Sequence, residues 1–238
     1  MEIICLDSVD STNTWLADNE KSLPASVLVR AVTQSAGRGQ RGNSWEAEPS
    51  KNFTGSFLFH PTDFQAQHQF HISEAVALAV VDTLSHYNIS AKIKWPNDIY
   101  VGDKKICGIL VEHVITGKNI SRTIAGIGVN VNQEIFVSDA PNPVSMKMIT
   151  GLDYNLEEFT SLLSSRLISR MENVLSLHDD LKALLYRGDG NFYPFFDRKA
   201  NELISARIID VAADGILHLL TTEGILRTFA FKEVEFII

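Results

Sequence analysis

The 238-residue sequence predicts an α+β fold that ends in a small all-β piece. Three observations point that way. Short apolar runs of β character recur up to Val131, two long stretches space their apolar residues as one face of a helix does, and beyond Asp189-Gly190 short β-rich runs alternate with turn pairs. A hydrophobic content of 45% and a charged content of 21% are those of an ordinary globular chain able to bury a sizeable core.

Glu2 to Leu6 is a short apolar strand, after which Asp10 or Ser11 can cap a helix running through Trp15 and Leu16. Val27 to Val32 is a second strand that feeds a glycine-rich loop, and Asn52 to Phe59 is the return strand. Ser73 to Tyr87 carries Val76, Ala77, Val80, Val81 and Leu84 at helical spacing. Ala91 to Lys94 and Ile99 to Val101 are short β segments broken by Pro96, while Ile106 to Ile115 and Arg122 to Val131 are longer buried strands. Asn155 to Leu177 is amphipathic through Phe159, Leu162, Leu163, Leu167 and Ile168, with a shorter helix over Asp179 to Tyr186. From Leu203 onward, turn signals at Asp214-Gly215 and Glu223-Gly224 mark a small β domain, so the expected division is 1–188 and 189–238.

Net charge is −8, yet Ala25 to Trp45 holds no acid, and Gln34 to Trp45 packs three glycines, two arginines and a tryptophan together. Glycines allow close backbone approach, arginines meet carboxylate or phosphate with paired donors, and an indole gives an apolar wall. One positive loop on an acidic chain suits a small anion and argues against a nucleic-acid surface, which needs a broader basic face. The apolar run near the N-terminus is too short for a signal peptide and no stretch reaches bilayer length, so no membrane association is expected and a cytoplasmic setting is. Cys5 and Cys107 lack zinc-site spacing and fit reduced thiols.

Three further clusters stand out. Lys94-Trp95-Pro96-Asn97-Asp98 places polar groups just after a strand, either as a capped turn or as a site. Gly102 to Glu112 resembles a hairpin turn entering a buried strand, with Lys105 at its mouth and Gly108 where a ligand can lie against backbone. Gly126-Ile127-Gly128-Val129-Asn130 offers a flat platform for a planar group, with Asn130 at its end; a β-bulge explains the same glycines.

Taken in order, Asp10 to Asn13, Gln34 through Trp45, Lys94 to Asp98, Lys105 with Gly108 to Glu112, and Gly126 to Asn130 resemble the motifs of the biotin protein ligase family across most of the chain. The resemblance implies a catalytic domain of the class II synthetase type, a mixed sheet flanked by helices, followed by an SH3-like barrel. It also implies the short form of the family, since no helix-turn-helix precedes the first motif. Such proteins join biotin to AMP from ATP, with Mg²⁺ on the phosphates, and pass the acyl group to a lysine of a biotin carboxyl carrier protein or domain.

By that resemblance Lys105, Arg38 and Asp98 carry the chemistry, with Asp98 serving the acceptor amine or the metal. Ser11, Thr12, Asn13, Gln34, Ser35, Gly37, Gly39, Gln40, Arg41 and Gly108, together with Arg38 and Lys105, hold biotin. Trp45, Asn97, Asn130 and Arg41 join Arg38 and Lys105 around the adenylate. The cations answer a physical need, because two unit charges about 4 Å apart repel by about 4 kcal/mol at an effective dielectric of 20. A glycine loop that closes over the labile anhydride is expected to be mobile in the free enzyme.

Gln40 departs from the resemblance: one branch of the family has arginine there, and its loss suggests a weaker grip on biotinyl-AMP. Met146-Lys147-Met148 matches the acceptor signature of biotinylated carriers, but its setting after Pro141-Asn142-Pro143 suits a helix start, and the match is read as accidental. Two other functions compete. One is lipoate or octanoate ligation, disfavoured because the arginine-rich triple-glycine motif is absent; the other is a non-catalytic biotin or adenylate sensor, disfavoured by the retained cations. Pairing into a homodimer through a sheet edge is a further possibility.

Overall fold

The computed structural model describes residues 1–138 and 142–238, with the side chain of Arg41 also outside the described part. Strand β1 (Glu2–Val9) passes through helix α1 (Thr12–Asn19) into β2 (Ser26–Gln34), and the two strands pair in parallel. All other pairings are antiparallel: β3 (Phe53–Phe59), β4 (Lys92–Lys94), β5 (Asp98–Val101), β6 (Lys104–Thr116) and β7 (Asn119–Val129) complete a mixed sheet ordered β1-β2-β3-β7-β6-β5-β4.

Strand periodicity divides the core between the two faces of this sheet. Val27 and Val29 of β2 pack with Leu16 of α1, Leu58 and Ile124 on one face. Leu28, between them in sequence, belongs to the larger core on the other face, with Phe53, Phe57 and Phe59. That larger core is filled by α2 (Gln69–His86), which is buried nearly all round, and by α4 (Leu156–Glu172), which contributes Phe159, Leu163 and Leu167. Asn155 caps α4 by accepting from the amides of Glu157 and Glu158, whose carboxylates also suit the positive helix end.

The two acceptor-like methionines lie in α3 (Met146–Thr150), a single turn capped by the Ser145 side chain and closed by Gly151 at φ 75°. After α5 (His178–Ala183), strands β8 (Tyr193–Asp197), β9 (Glu202–Val211), β10 (Leu217–Thr221), β11 (Leu226–Phe229) and β12 (Val234–Phe236) form a second, antiparallel sheet ordered β11-β10-β9-β8-β12. It docks tightly on the first unit. The Trp95 indole N–H donates to the Gly215 carbonyl at 2.9 Å, and Phe231 packs against Trp95 and Phe70. Residues of the second sheet, Phe195 and Leu219 among them, thereby share one core with those of the first.

Candidate active site

The glycine loop folds back on itself as a tight hairpin. Trp45 N donates to Gly37 O at 2.9 Å, Gly39 N donates to Asn43 O at 2.7 Å, and Arg38 bridges Ser44. Glycine at 37 is dictated by this closure, since a Cβ there would stand 2.7 Å from the Trp45 carbonyl. The hairpin roofs a cleft of about 780 Å³ whose floor is the sheet at the β3, β7 and β6 strands.

One end of the cleft is polar and rigid. Ser11, Thr12 and Asn13, at the start of α1, are each buried. Ser11 stands at the cap position of α1 but its side chain makes no capping bond, and the Asp10 carboxylate instead accepts from the Ser35 hydroxyl at 2.7 Å. The Gln34 side-chain Oε1 accepts from the amide of Thr12 at 2.8 Å and lies 3.1 Å from its hydroxyl. Thr12 Oγ1 lies 2.6 Å from Ser56 Oγ, which donates onward to Asn13 Oδ1 at 2.5 Å. Ser56 is fully buried in β3, and sequence reasoning missed it; the serine and Thr54 are the two hydroxyls among the aromatic and aliphatic residues of that strand, and nothing local singles out Ser56.

The other end is charged. Arg38 and Lys105 both line the cleft. Arg38 Nη2 lies 2.6 Å from Glu112 Oε1, and Lys105 Nζ lies 2.7 Å from Asp98 Oδ1. Asp98 is the one carboxylate among the described lining residues. Asn97 also lines the cleft and donates to the Ile109 carbonyl at 2.6 Å. Lys94, two residues before Pro96, stays out of the lining: its ammonium sits 5.0 Å from the rings of both Tyr100 and Phe236, and burial lowers its pKa despite the pull of Asp98.

Between the two ends the Trp45 indole lies against the glycines of β6 and β7. A Cβ at Gly128 would run into its ring, one at Gly108 would come within 3.0 Å, and Lys105 Nζ is 5.8 Å from the ring centroid. The two glycines therefore serve as a platform, and the indole N–H there is buried without a partner among the described residues. Asn130, just beyond β7, is buried and donates to Val144 O at 3.1 Å, while its Oδ1 has no partner among the described residues. Gly126 instead makes room for Asn13, whose Oδ1 a Cβ at that position would strike.

The remaining expected residues fall unevenly. Gly39 and Gln40 line the cleft; Ser35, Gly37 and Asn130 are outside its described lining, and the Arg41 side chain lies outside the described residues. Three lining residues were missed, Gly55, Ser138 and Lys232: Gly55 sits inside a strand with no motif of its own, and the other two come from distant segments that no local motif marks. Among the described residues no group of His, Cys, Asp and Glu could hold a metal ion, and Asp98 is engaged by Lys105.

A cationic hairpin over a glycine platform, with a rigid polar pocket at one end, defines a cleft for a polar small molecule joined to an anion. Sequence comparison agrees. The profile of the biotin/lipoate A/B protein ligase family matches residues 5–130, and the chain belongs to that family. Within it, the sequence is 35% identical over 166 residues to the biotin–[acetyl-CoA-carboxylase] ligase of Paracoccus denitrificans, covering 67% of this chain and 68% of that one. It is 31% identical to the bifunctional ligase/repressor BirA of Escherichia coli K12, over 98% of this chain and 73% of that one. In fold it matches the biotin protein ligase of Aquifex aeolicus in complex with biotin and ATP with a TM-score of 0.80 at 24% identity, covering 98% and 97% of the two chains.

Proposed function

We propose that the chain activates biotin with ATP and transfers it to a lysine of a biotin carboxyl carrier protein or domain. One observation carries this reading: Arg38 and Lys105 share a single cleft with the Ser11, Thr12 and Gln34 pocket, so two anions can meet beside two cations. Thr12 and Gln34 orient the ureido ring system, and Arg38 and Lys105 neutralise the carboxylate and the α-phosphate. The carboxylate oxygen then attacks the α-phosphorus and pyrophosphate leaves with the electrons of the broken bond. The Asn130 Oδ1, which has no partner among the described residues, is an acceptor suited to an exocyclic amine of adenine.

In the second half-reaction the acceptor amine attacks the acyl carbon and AMP departs. Asp98, the described carboxylate of the lining, takes up the proton that the amine must lose. The described residues provide no metal cage, so Mg²⁺ is read as arriving on the ATP phosphates, and no step here depends on a protein-held ion. The hairpin opens to admit substrates and closes over the anhydride. The break between 188 and 189 is read as the domain boundary, β1 as the open sheet edge for any pairing of two copies, and the cytoplasm as the setting. No helix of the described residues is long and apolar enough to cross a membrane.

Pyrophosphate release that requires both biotin and ATP, followed by a mass increase of an added carrier domain, tests the proposal. Binding without pyrophosphate release would point to a sensor instead. Release with lipoate or octanoate but not with biotin would move the chain to the other branch of its family.

A further inference from the structure

We propose that Glu112 is a positioning residue, which holds the Arg38 guanidinium at the cleft and thereby sets how long the activated intermediate is retained; this rests on the ligase reading above. Glu112 lies on β6 outside the described lining of the cleft, while Arg38 lies within it. Its two carboxylate oxygens do different work. Oε1 takes Arg38 Nη2 at 2.6 Å, and Oε2 accepts from Asn13 Nδ2 at 2.7 Å while lying 3.4 Å from Arg38 Nη1.

Asn13 is itself fixed. It is 4% exposed, its Oδ1 accepts from the fully buried Ser56, its Nδ2 also reaches the Leu110 carbonyl at 3.4 Å, and Gly126 leaves it the room to lie there. An unbroken polar line thus runs from Gln34 Oε1 through the amide and hydroxyl of Thr12, then Ser56, Asn13 and Glu112, to Arg38. With side chains 46% and 38% exposed, the Arg38–Glu112 pair contributes little to folding. Its value is geometric: Glu112 fixes an otherwise mobile arginine on the loop to the rigid end of the cleft, so the cation is already aimed when carboxylate and phosphate arrive.

The test is a double-mutant cycle on the rate at which biotinyl-AMP, formed in the active site, is released. Glu112→Gln keeps the shape but removes the charge, and should speed release about tenfold, as should Arg38→Ala; the double variant should release no faster than Arg38→Ala alone, within about twofold. Glu112→Asp retains the charge and should recover part of the wild-type retention, and thermal melts should place all four variants within a few degrees of the wild type. If Glu112→Gln proves unstable, the cycle is run with Glu112→Ala. Multiplying single effects, an unchanged release rate, or slower release in Glu112→Gln would each overturn the proposal. Wild-type protein that forms no adenylate would instead refute the ligase reading.

Discussion

Lys105 Nζ and Asp98 Oδ1 stand 2.7 Å apart where β5 meets β6, with side chains 30% and 19% exposed. The pair is shielded enough to hold its geometry and open enough to reach a ligand, and in the function proposed above its two members serve different half-reactions. Lys105→Ala removes a charge that acts while two anions condense, so biotin-dependent pyrophosphate release should fall by about 10²–10³. Asp98→Asn should slow transfer from preformed biotinyl-AMP by about 10² or more, with a smaller effect on pyrophosphate release. Rapid-quench measurement of the two steps separates them. Equal losses in both steps for Asp98→Asn would mean that Asp98 only braces Lys105.

Gly128 and Gly108 differ in how closely Trp45 covers them, and this yields a graded expectation. A methyl at 128 would overlap the indole ring, whereas at 108 it would meet the ring at 3.0 Å. Overpacking of this kind costs about 1–3 kcal/mol, here taken up by moving the indole. Gly128→Ala should therefore raise the KM for ATP by about tenfold or more while leaving biotin affinity within about twofold; Gly108→Ala should do less. Trp45 fluorescence reports the displacement directly, and an unshifted spectrum in Gly128→Ala would refute the account.

Much of this cleft was readable from sequence because the ligase motifs are local. Lys105 at a strand mouth, the glycine pair of β7 and Arg38 of the loop each announce themselves within a few residues, and the helix expected over Ser73 to Tyr87 is Gln69–His86. What escaped was non-local. Lys232 and Ser138 reach the cleft only because the second sheet and the segment after β7 fold over it. Strand β8 was also missed, since Pro194 within Tyr193–Asp197 argues against a strand until β9 and β12 are seen to pair on either side of it. The long helix expected to Leu177 stops at Glu172, where Asn173 takes non-helical angles and a separate short turn follows.

Gln40 begins the 3₁₀ turn of the loop, Gln40–Gly42, and lines both the main cleft and a small neighbouring groove. Its amide supplies polarity where an arginine would add charge. Gln40→Arg should slow release of biotinyl-AMP by about three- to tenfold, the scale of one added solvent-screened cation near an anion. Filter-binding of the radiolabelled intermediate measures this. An unchanged off-rate would mean that the loop retains its ligand without charge at this position.

Lys147 tests how far a short signature can mislead. Its ammonium lies 3.0 Å from both Glu134 and Asp153, in a helix turn instead of a hairpin, and hydrogen bonds from the ammonium to those two carboxylates raise its pKa. An acyl acceptor must present a free amine, whereas the Lys147 ammonium is held by two carboxylates and set in the wrong local fold. Incubation with biotin and ATP followed by peptide mass mapping should leave Lys147 unmodified even when an added carrier is labelled. Stoichiometric modification at that position would reverse the conclusion.

His113 gives the protein a pH signature that can be assigned to one residue. On β6, its Nδ1 lies 2.8 Å from Thr123 Oγ1, and burial lowers its pKa from the ordinary 6.5. Between the lowered folded value and 6.5 the unfolded chain binds a proton that the folded chain does not, so stability rises with pH across that window. Above it the residue has no effect; as pH falls through it, stability is lost until the folded imidazole also protonates. His113→Gln keeps a polar partner for Thr123 without the titration. Between about pH 7.5 and about pH 5.5 the melting temperature of the wild type should therefore fall further than that of the variant, and parallel curves would show that His113 titrates at its ordinary value in the folded chain.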